Sequence, residues 1–268
     1  MTGAPGDAAA PADVTIAIPS LNHGAFLEQA LTSIFAQGMS VDVCLMDAGS
    51  TDDTRQIIDR WSSRLSRWRS APDDGQAWAI NEGLRGARSR FVTWLNADDC
   101  YAPGGLNALA EALDARPDAP FAYGQADLIE EDGTARGSYH VEPWNVERFA
   151  RRCFVSQPAA LVRRECWEAV GGLDPALHMA LDYDLWWRLA AIAPPVFVDR
   201  PVAVARIHDD TKTMRRPIAH YREAIAIVRR HHGRVPAWWW AKMPVSIGAR
   251  LLFNHQIGYR RRRNPRRH

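Results

Sequence analysis

The chain has 268 residues, 47% of them hydrophobic, enough to bury a sizeable core in one large domain or one and a half. Its formal charge of +2 conceals an asymmetry: residues 212–268 hold fifteen Lys and Arg against the single acid Glu223, leaving a net −12 on the rest. An acidic body confines any polyanion contact to the tail, and the four cysteines, at 44, 100, 153 and 166, form no CxxC pair, which argues against zinc and for free thiols in a reducing, cytoplasmic compartment.

Residues 1–12 are small and polar, with no basic cluster leading into an apolar run, and read as a disordered lead-in without a secretory signal. Val14-Thr15-Ile16-Ala17-Ile18 is the first buried strand, ending at Pro19. Leu27, Leu31, Ile34 and Phe35 then share one helical face, and Gly38 closes that helix. Val41 to Met46 forms a second strand, and Thr51 to about Trp61 a second helix. Ala77, Ile80, Leu84 and Ala87 are the core stripe of a third helix. Phe91 to Leu95 is the next strand. Pro103 stands at a helix start, and Leu106, Leu109 and Leu113 line that helix. Strands alternating with helices predict a mostly parallel sheet covered on both faces.

The second half is less regular. Phe121 to Leu128 and Ala135 to Tyr139 flank Glu131-Asp132-Gly133 as a hairpin, and Ala159 to Val162 is extended. Asp182 to Ala191 is helical. Val196 to Val198 and Val202 to Ile207 return to strand. No internal repeat or long linker divides the chain before about residue 212, so residues 13–211 read as one catalytic-sized domain and 212–268 as a helical segment rich in Trp and Arg.

In open α/β sheets ligands sit beyond the carboxyl ends of the strands. The polar clusters fall there: Ser20-Leu21-Asn22, Asp47-Ala48-Gly49-Ser50-Thr51-Asp52 and Asn96-Ala97-Asp98-Asp99. Adjacent acids after a buried strand repel unless a cation or donor lies between them, and magnesium or manganese binds through one or two carboxylates plus substrate phosphates. Asp47 suits a base imide or ribose hydroxyl, whereas Ser50 and Asp52 suit capping of the next helix. Asp73 and Asp74 gain from the dipole of the third helix. Trp78 and Trp94 read as core. Trp186 and Trp187 are open between core packing and an acceptor surface.

These motifs, in order, resemble the glycosyltransferase family 2 pattern: Val14 to Asn22, Asp47 to Asp52, Asp74-Gly75-Gln76 through Asn81-Glu82-Gly83, Trp94 to Asp99, and Gly171-Gly172-Leu173-Asp174 followed by Asp182 to Leu189. The resemblance spans roughly residues 13–210. It implies a GT-A fold and an inverting transfer from a nucleotide-diphosphate sugar, a UDP-sugar first among them, with Mn2+ or Mg2+ as cofactor. Pro19, Asn22 and Asp47 would line the nucleoside pocket, with Asp74 and Asn81 nearby. Asn96 and Asp98 take the outer positions of the metal motif, Asn96 replacing an acid, so that contact rests mainly on Asp98. Asp182 takes the position of the general base. Leu181 stands where a Glu is common, which leaves Asp184 open as a second reading. His208 is a further metal or diphosphate ligand, with a plain strand-end residue as its alternative, and Arg206 is the phosphate contact in its place. The implied acceptor is a saccharide or a lipid-linked sugar in polysaccharide or lipopolysaccharide assembly.

After about Met214 the chain turns helical, with Ile218, Ile225 and Val228 on one face. Trp238-Trp239-Trp240 and the Arg260 to Arg267 cluster follow. Lys242, Pro244 and Arg250 interrupt the apolar stretch, which excludes a spanning helix and points either to an anionic membrane surface at the inner leaflet or to packing on the body. No nucleic-acid module is visible.

Overall fold

The computed structural model describes residues 11–207 and 216–248. Of the expected lead-in only Pro11 and Ala12 fall within them, and Ala12 is already buried. All seven residues of β1 (Val14–Ser20) are buried, as an inner parallel strand covered on both faces requires. α1 (Gly24–Phe35) buries Leu27, Ala30, Leu31 and Ile34, and Gly38 at φ 70° turns the chain into β2 (Val41–Asp47). α2 (Thr54–Trp61), the edge strand β3 (Arg67–Ser70), α3 (Gln76–Leu84) and β4 (Phe91–Trp94) complete a parallel half-sheet in the order β3-β2-β1-β4. α2 starts three residues later than its apolar pattern suggests. Asp52 is already committed there, accepting from the N–H groups of Thr54 and of Gly24 at the head of α1.

The second half contains β5 (Cys100–Tyr101), α4 (Gly105–Ala115), β6 (Phe121–Glu130), β7 (Ala135–Ser138), α5 (Val146–Arg151) and β8 (Ala160–Arg163). It continues through α6 (Arg164–Ala169), α7 (Leu181–Ala190), β9 (Val196–Ile207) and α8 (Pro217–His232), and residues 237–248 are helical. The nine strands form one sheet, β3-β2-β1-β4-β8-β6-β9-β5, with β7 on β6. β8 is antiparallel to both β4 and β6, and β5 to β9, whereas β6 and β9 run parallel. The parallel layout therefore holds in the first half and gives way to a mixed one in the second, where a hairpin and short returns replace helical crossovers.

Alternation along the strands assigns side chains to two cores, one on each face. Ala17, Val92 and Trp94 join one; Ile16, Ile18, Phe91 and Leu95 join the other. α4 lies directly against β9. A Cβ on Gly105 would stand 2.1 Å from the Val202 carbonyl oxygen, so only glycine permits this approach.

The first core also takes in α8 and Trp239 beyond it. Tyr221, Ala224, Ile225 and Val228 of α8 are buried beside Trp187, and Trp239 donates its indole N–H to the Ala150 carbonyl at 2.7 Å. Residues 217–239 thus pack on the body. Ile218, placed on the apolar face by its spacing, is exposed, as are Trp238 and Trp240. Among the described residues no helix is long and apolar enough to cross a membrane.

Candidate active site

A cavity of about 510 Å³ opens at the carboxyl ends of β1, β2 and β4. Pro19, Ser20 and Leu21 form one wall with Ala48; Asn96, Asp98 and Asp99 form the floor beyond β4. The opposite wall comes from the second half: Gln157, His178, Met179, Leu181 and Asp182. Of the residues picked out in the sequence, the fold brings Pro19, Asn96, Asp98 and Asp182 to this one cavity.

Four others lie off its walls. Asp47 is fully buried beneath the rim: its carboxylate accepts from Ser50 Oγ, from the Gly49 and Ser50 N–H groups and from Ser70 Oγ at 2.6 Å. Every oxygen is taken by the chain, so Asp47 shapes the loop and the neighbouring Ala48 faces the ligand space. The slip of one residue follows from the strand period of two. Asn22, at φ 56°, fastens the same loop, accepting from the Thr51 N–H at 2.9 Å and donating its own N–H to Ser50 Oγ at 2.7 Å. Ser50 is therefore a loop bridge, not a helix cap. Asp74 is exposed, and Asp73 lines the cavity instead while accepting from the Gly75 N–H. Asn81 clasps Leu173, donating to its carbonyl at 2.8 Å and accepting from its N–H at 2.9 Å. Gly172, at φ 69°, lets that grip form, since a Cβ there would meet Asn81 Oδ1 at 2.7 Å.

The floor is a fixed polar network. Asn96 accepts from Gln76 Nε2 at 2.9 Å and donates to Asp99 Oδ2 at 3.1 Å and Gln157 Oε1 at 3.0 Å. Asp99 also accepts the Arg206 N–H at 3.0 Å. The Arg206 guanidinium is buried and donates to the carbonyls of Asp98, Glu130 and Glu131 and to Gln29 Oε1, so it braces the floor instead of reaching out for phosphate. Gln76 and Gln157 were given no role in the sequence reading, because amides carry no charge signal and the two are distant in the chain, whereas Arg206, read there as a phosphate contact in place of His208, proves to be a brace.

The donor set bears on a metal. Among the described residues no three His, Cys, Asp or Glu side chains converge on a point. Asp98 offers a half-buried carboxylate at the wall, while the Asn96 oxygen, expected to face an ion, faces the Gln76 amide. This suits magnesium or manganese drawing most of its oxygens from a diphosphate, not a resident ion. His208 lies outside the described residues.

Asp182 and Asp184 separate cleanly. Asp182, the second residue of α7, lines the cavity, and burial pushes its carboxyl up to about 6, against the pull of the Tyr183 N–H and its own. Asp184 is 1% exposed and turned into the body. Burial acts to raise its pKa, but hydrogen bonds from His231 and Arg188 outweigh that and hold it below the ordinary aspartate value. Trp186 and Trp187 are both core residues, Trp186 stacking on Trp94 at 5.8 Å, so neither faces an acceptor. All four cysteines are free.

The family model described as "Glycosyl transferase family 2" matches residues 15–165. Among curated proteins, an uncharacterized glycosyltransferase of Rickettsia felis is 23% identical over 210 residues, covering 74% of this chain and 34% of its own. The O-antigen biosynthesis protein RfbC of Myxococcus xanthus is 30% identical over 171 residues, covering 62% of this chain and 13% of its own. The chain thus spans about a third or less of the length of these relatives. Among solved structures, S. aureus TarS 1-349 in complex with UDP-GlcNAc superposes with a TM-score of 0.67 at 15% identity, covering 82% of this chain and 66% of that one. The mannosyltransferase PcManGT of Pyrobaculum calidifontis, in complex with GDP-Man and Mn2+, gives 0.61 at 19% identity, covering 89% and 70%. The fold is the GT-A fold of these enzymes.

Proposed function

Because the chain belongs to glycosyl transferase family 2, we propose that its cavity binds a nucleotide-diphosphate sugar and passes the sugar to a hydroxyl acceptor with inversion. The observation that carries this reading is that Asp98 and Asp182 line one cavity from opposite halves of the chain. An acceptor hydroxyl is a poor nucleophile at neutral pH and needs a carboxylate within about 2.6–3.2 Å. Asp182 takes that proton as the hydroxyl oxygen bonds to the anomeric carbon, and the bond to the nucleoside diphosphate breaks on the opposite face. A single displacement from opposite faces inverts the centre. Asp98 would hold a divalent cation that neutralises the charge growing on the diphosphate. The bound nucleotide sugars of TarS and PcManGT support the donor class, and the Mn2+ of PcManGT supports manganese. The O-antigen relative supports a place in surface-polysaccharide assembly.

Thermal unfolding with UDP-GlcNAc and GDP-mannose, each with and without manganese, tests the reading. One donor at a hundred times its Kd raises stability by about 2.7 kcal/mol, a shift of several degrees, with a larger effect when manganese is present. No shift with any UDP- or GDP-sugar would sink it. Release of nucleoside diphosphate by the wild type separates an enzyme from a silent binding relative.

The exposed Trp238 and Trp240, beside Lys242 and ahead of the Arg260 to Arg267 cluster, support contact with an anionic inner leaflet close to a lipid-linked acceptor. In flotation, the full chain is expected to rise with phosphatidylglycerol vesicles but not with phosphatidylcholine ones, and Trp238→Ser with Trp240→Ser to weaken this severalfold. Equal recovery from both lipids removes the membrane role.

A further inference from the structure

The wall that carries Asp182 is gripped from another element. Glu223, half-buried on α8, accepts the backbone N–H groups of three successive residues: His178 at 3.1 Å, Met179 at 2.7 Å and Ala180 at 2.6 Å. These are the last residues before α7, and His178, Met179, Leu181 and Asp182 all line the cavity. Ala180, at the N-cap of α7, has no side-chain oxygen to organise this turn, and no side-chain cap bond forms there. The carboxylate from α8 holds this turn from outside, through the three N–H groups that lead into the helix. A second grip lies farther along: His231 of α8 donates to Asp184 at 2.8 Å, with Arg230 at 3.5 Å. Glu223 and His231 are eight residues apart, hence on one face of α8, and they hold α7 at its start and at its first turn.

We propose that Glu223 is a positioning residue for the transfer reaction: by fixing residues 178–180 it aims the Asp182 carboxyl at the cavity. This rests on Asp182 being the base. The alternative is a cap that only stabilises the fold. Such a cap would leave the chemistry of the folded protein untouched, so kinetics distinguishes the two.

The test measures kcat and donor KM for hydrolysis of UDP-GlcNAc or GDP-mannose, whichever the wild type turns over, in Glu223→Ala and Glu223→Gln. With the proposed donor held at the wall of Pro19 to Leu21 and Ala48, Glu223→Ala is expected to lose roughly tenfold or more in kcat with KM within about twofold. Gln keeps one oxygen for Met179 and Ala180 and recovers to within about threefold of wild type. Wild-type kcat in a folded Glu223→Ala, or a raised KM with kcat intact, overturns the proposal.

If Glu223→Ala fails to fold, the pH profile of Glu223→Gln decides. The charged and titratable groups around Asp182 are Glu223, Cys153, His178 and, across the cavity, His23, Asp73, Asp98, Asp99 and Arg206. Removing the like charge of Glu223 moves the acid limb of kcat to lower pH, and an unmoved limb overturns the proposal. Asp182→Asn is measured alongside: turnover retained there defeats the base assignment itself, a result distinct from an indifferent Glu223.

Discussion

Asp182→Asn lowers donor turnover by about 10²–10⁴-fold and at the same time makes the protein more stable at neutral pH. The two effects share one cause. Burial raises the Asp182 carboxyl from the ordinary aspartate value of 3.8 to about 6, so the folded state resists the charged form that a base must adopt. A folded-state pKa above the unfolded one means that stability falls as pH rises from about 4 to 6, and the penalty is complete above that range. A shift of about two units corresponds to at most about 3 kcal/mol. Asparagine has nearly the same shape and no charge, so it removes that cost: Tm rises by several degrees at pH 7.5 and hardly changes at pH 4. The same titration places the acid limb of kcat/KM near pH 6, because protonation removes the base. Thermal unfolding at the two pH values, together with nucleoside diphosphate release, checks both parts. A variant that loses stability at pH 7.5 contradicts the account, as does one that keeps its turnover.

How much was legible in the sequence follows from what writes a signal locally. β1, β2 and β4 are inner strands, and continuous apolar runs announce them. β3 is an edge strand, Arg67-Trp68-Arg69-Ser70, half-buried throughout, and no apolar pattern marks it. β9 reads as two runs broken by Asp199-Arg200-Pro201; pairing with β6, through register shifts at Gly124 to Ala126, makes it one strand. In the site, two acids singled out in the sequence lie just off the cavity wall. Asp47 and Asp74 each stand beside the residue that faces the cavity, Ala48 and Asp73. The amide network of Gln76, Asn96 and Gln157 was not legible, because it joins three distant loops and has no charge to betray it. Nor could the sequence show that α8 reaches back to hold α7. A helix with Glu223 as its lone acid among many bases leaves membrane contact and packing on the body both open until Glu223 is seen against three backbone N–H groups of another element.

Two residues after Asp182 the same side chain has the opposite effect, and Asp184→Ala is expected to unfold much of the protein at temperatures the wild type withstands. Asp184 Oδ2 accepts from Arg188 Nε at 2.7 Å, and Oδ1 from His231 Nε2 at 2.8 Å. Arg188 in turn donates to the Val170 and Gly172 carbonyls, so the knot ties α7 both to α8 and to the loop that Asn81 clasps. Removing one member of a buried charged set leaves its partners desolvated and unpaired, at about 3–5 kcal/mol. In a domain of this size that lowers Tm by on the order of 10 °C. Asp184→Asn keeps one acceptor but sets an amide N–H against a donor, and falls between. The pH sign is also reversed. Asp184 is held below the ordinary aspartate value, so its contribution is complete above about pH 4 and drains away as pH falls through its folded-state pKa. Urea titrations at pH 7 and pH 3 measure this: the gap between wild type and Asp184→Asn should narrow at the lower pH. Folded Asp184→Asn should still turn over donor. If it were as stable as wild type and inactive, the base would be Asp184, and Asp182 would be only a lining residue.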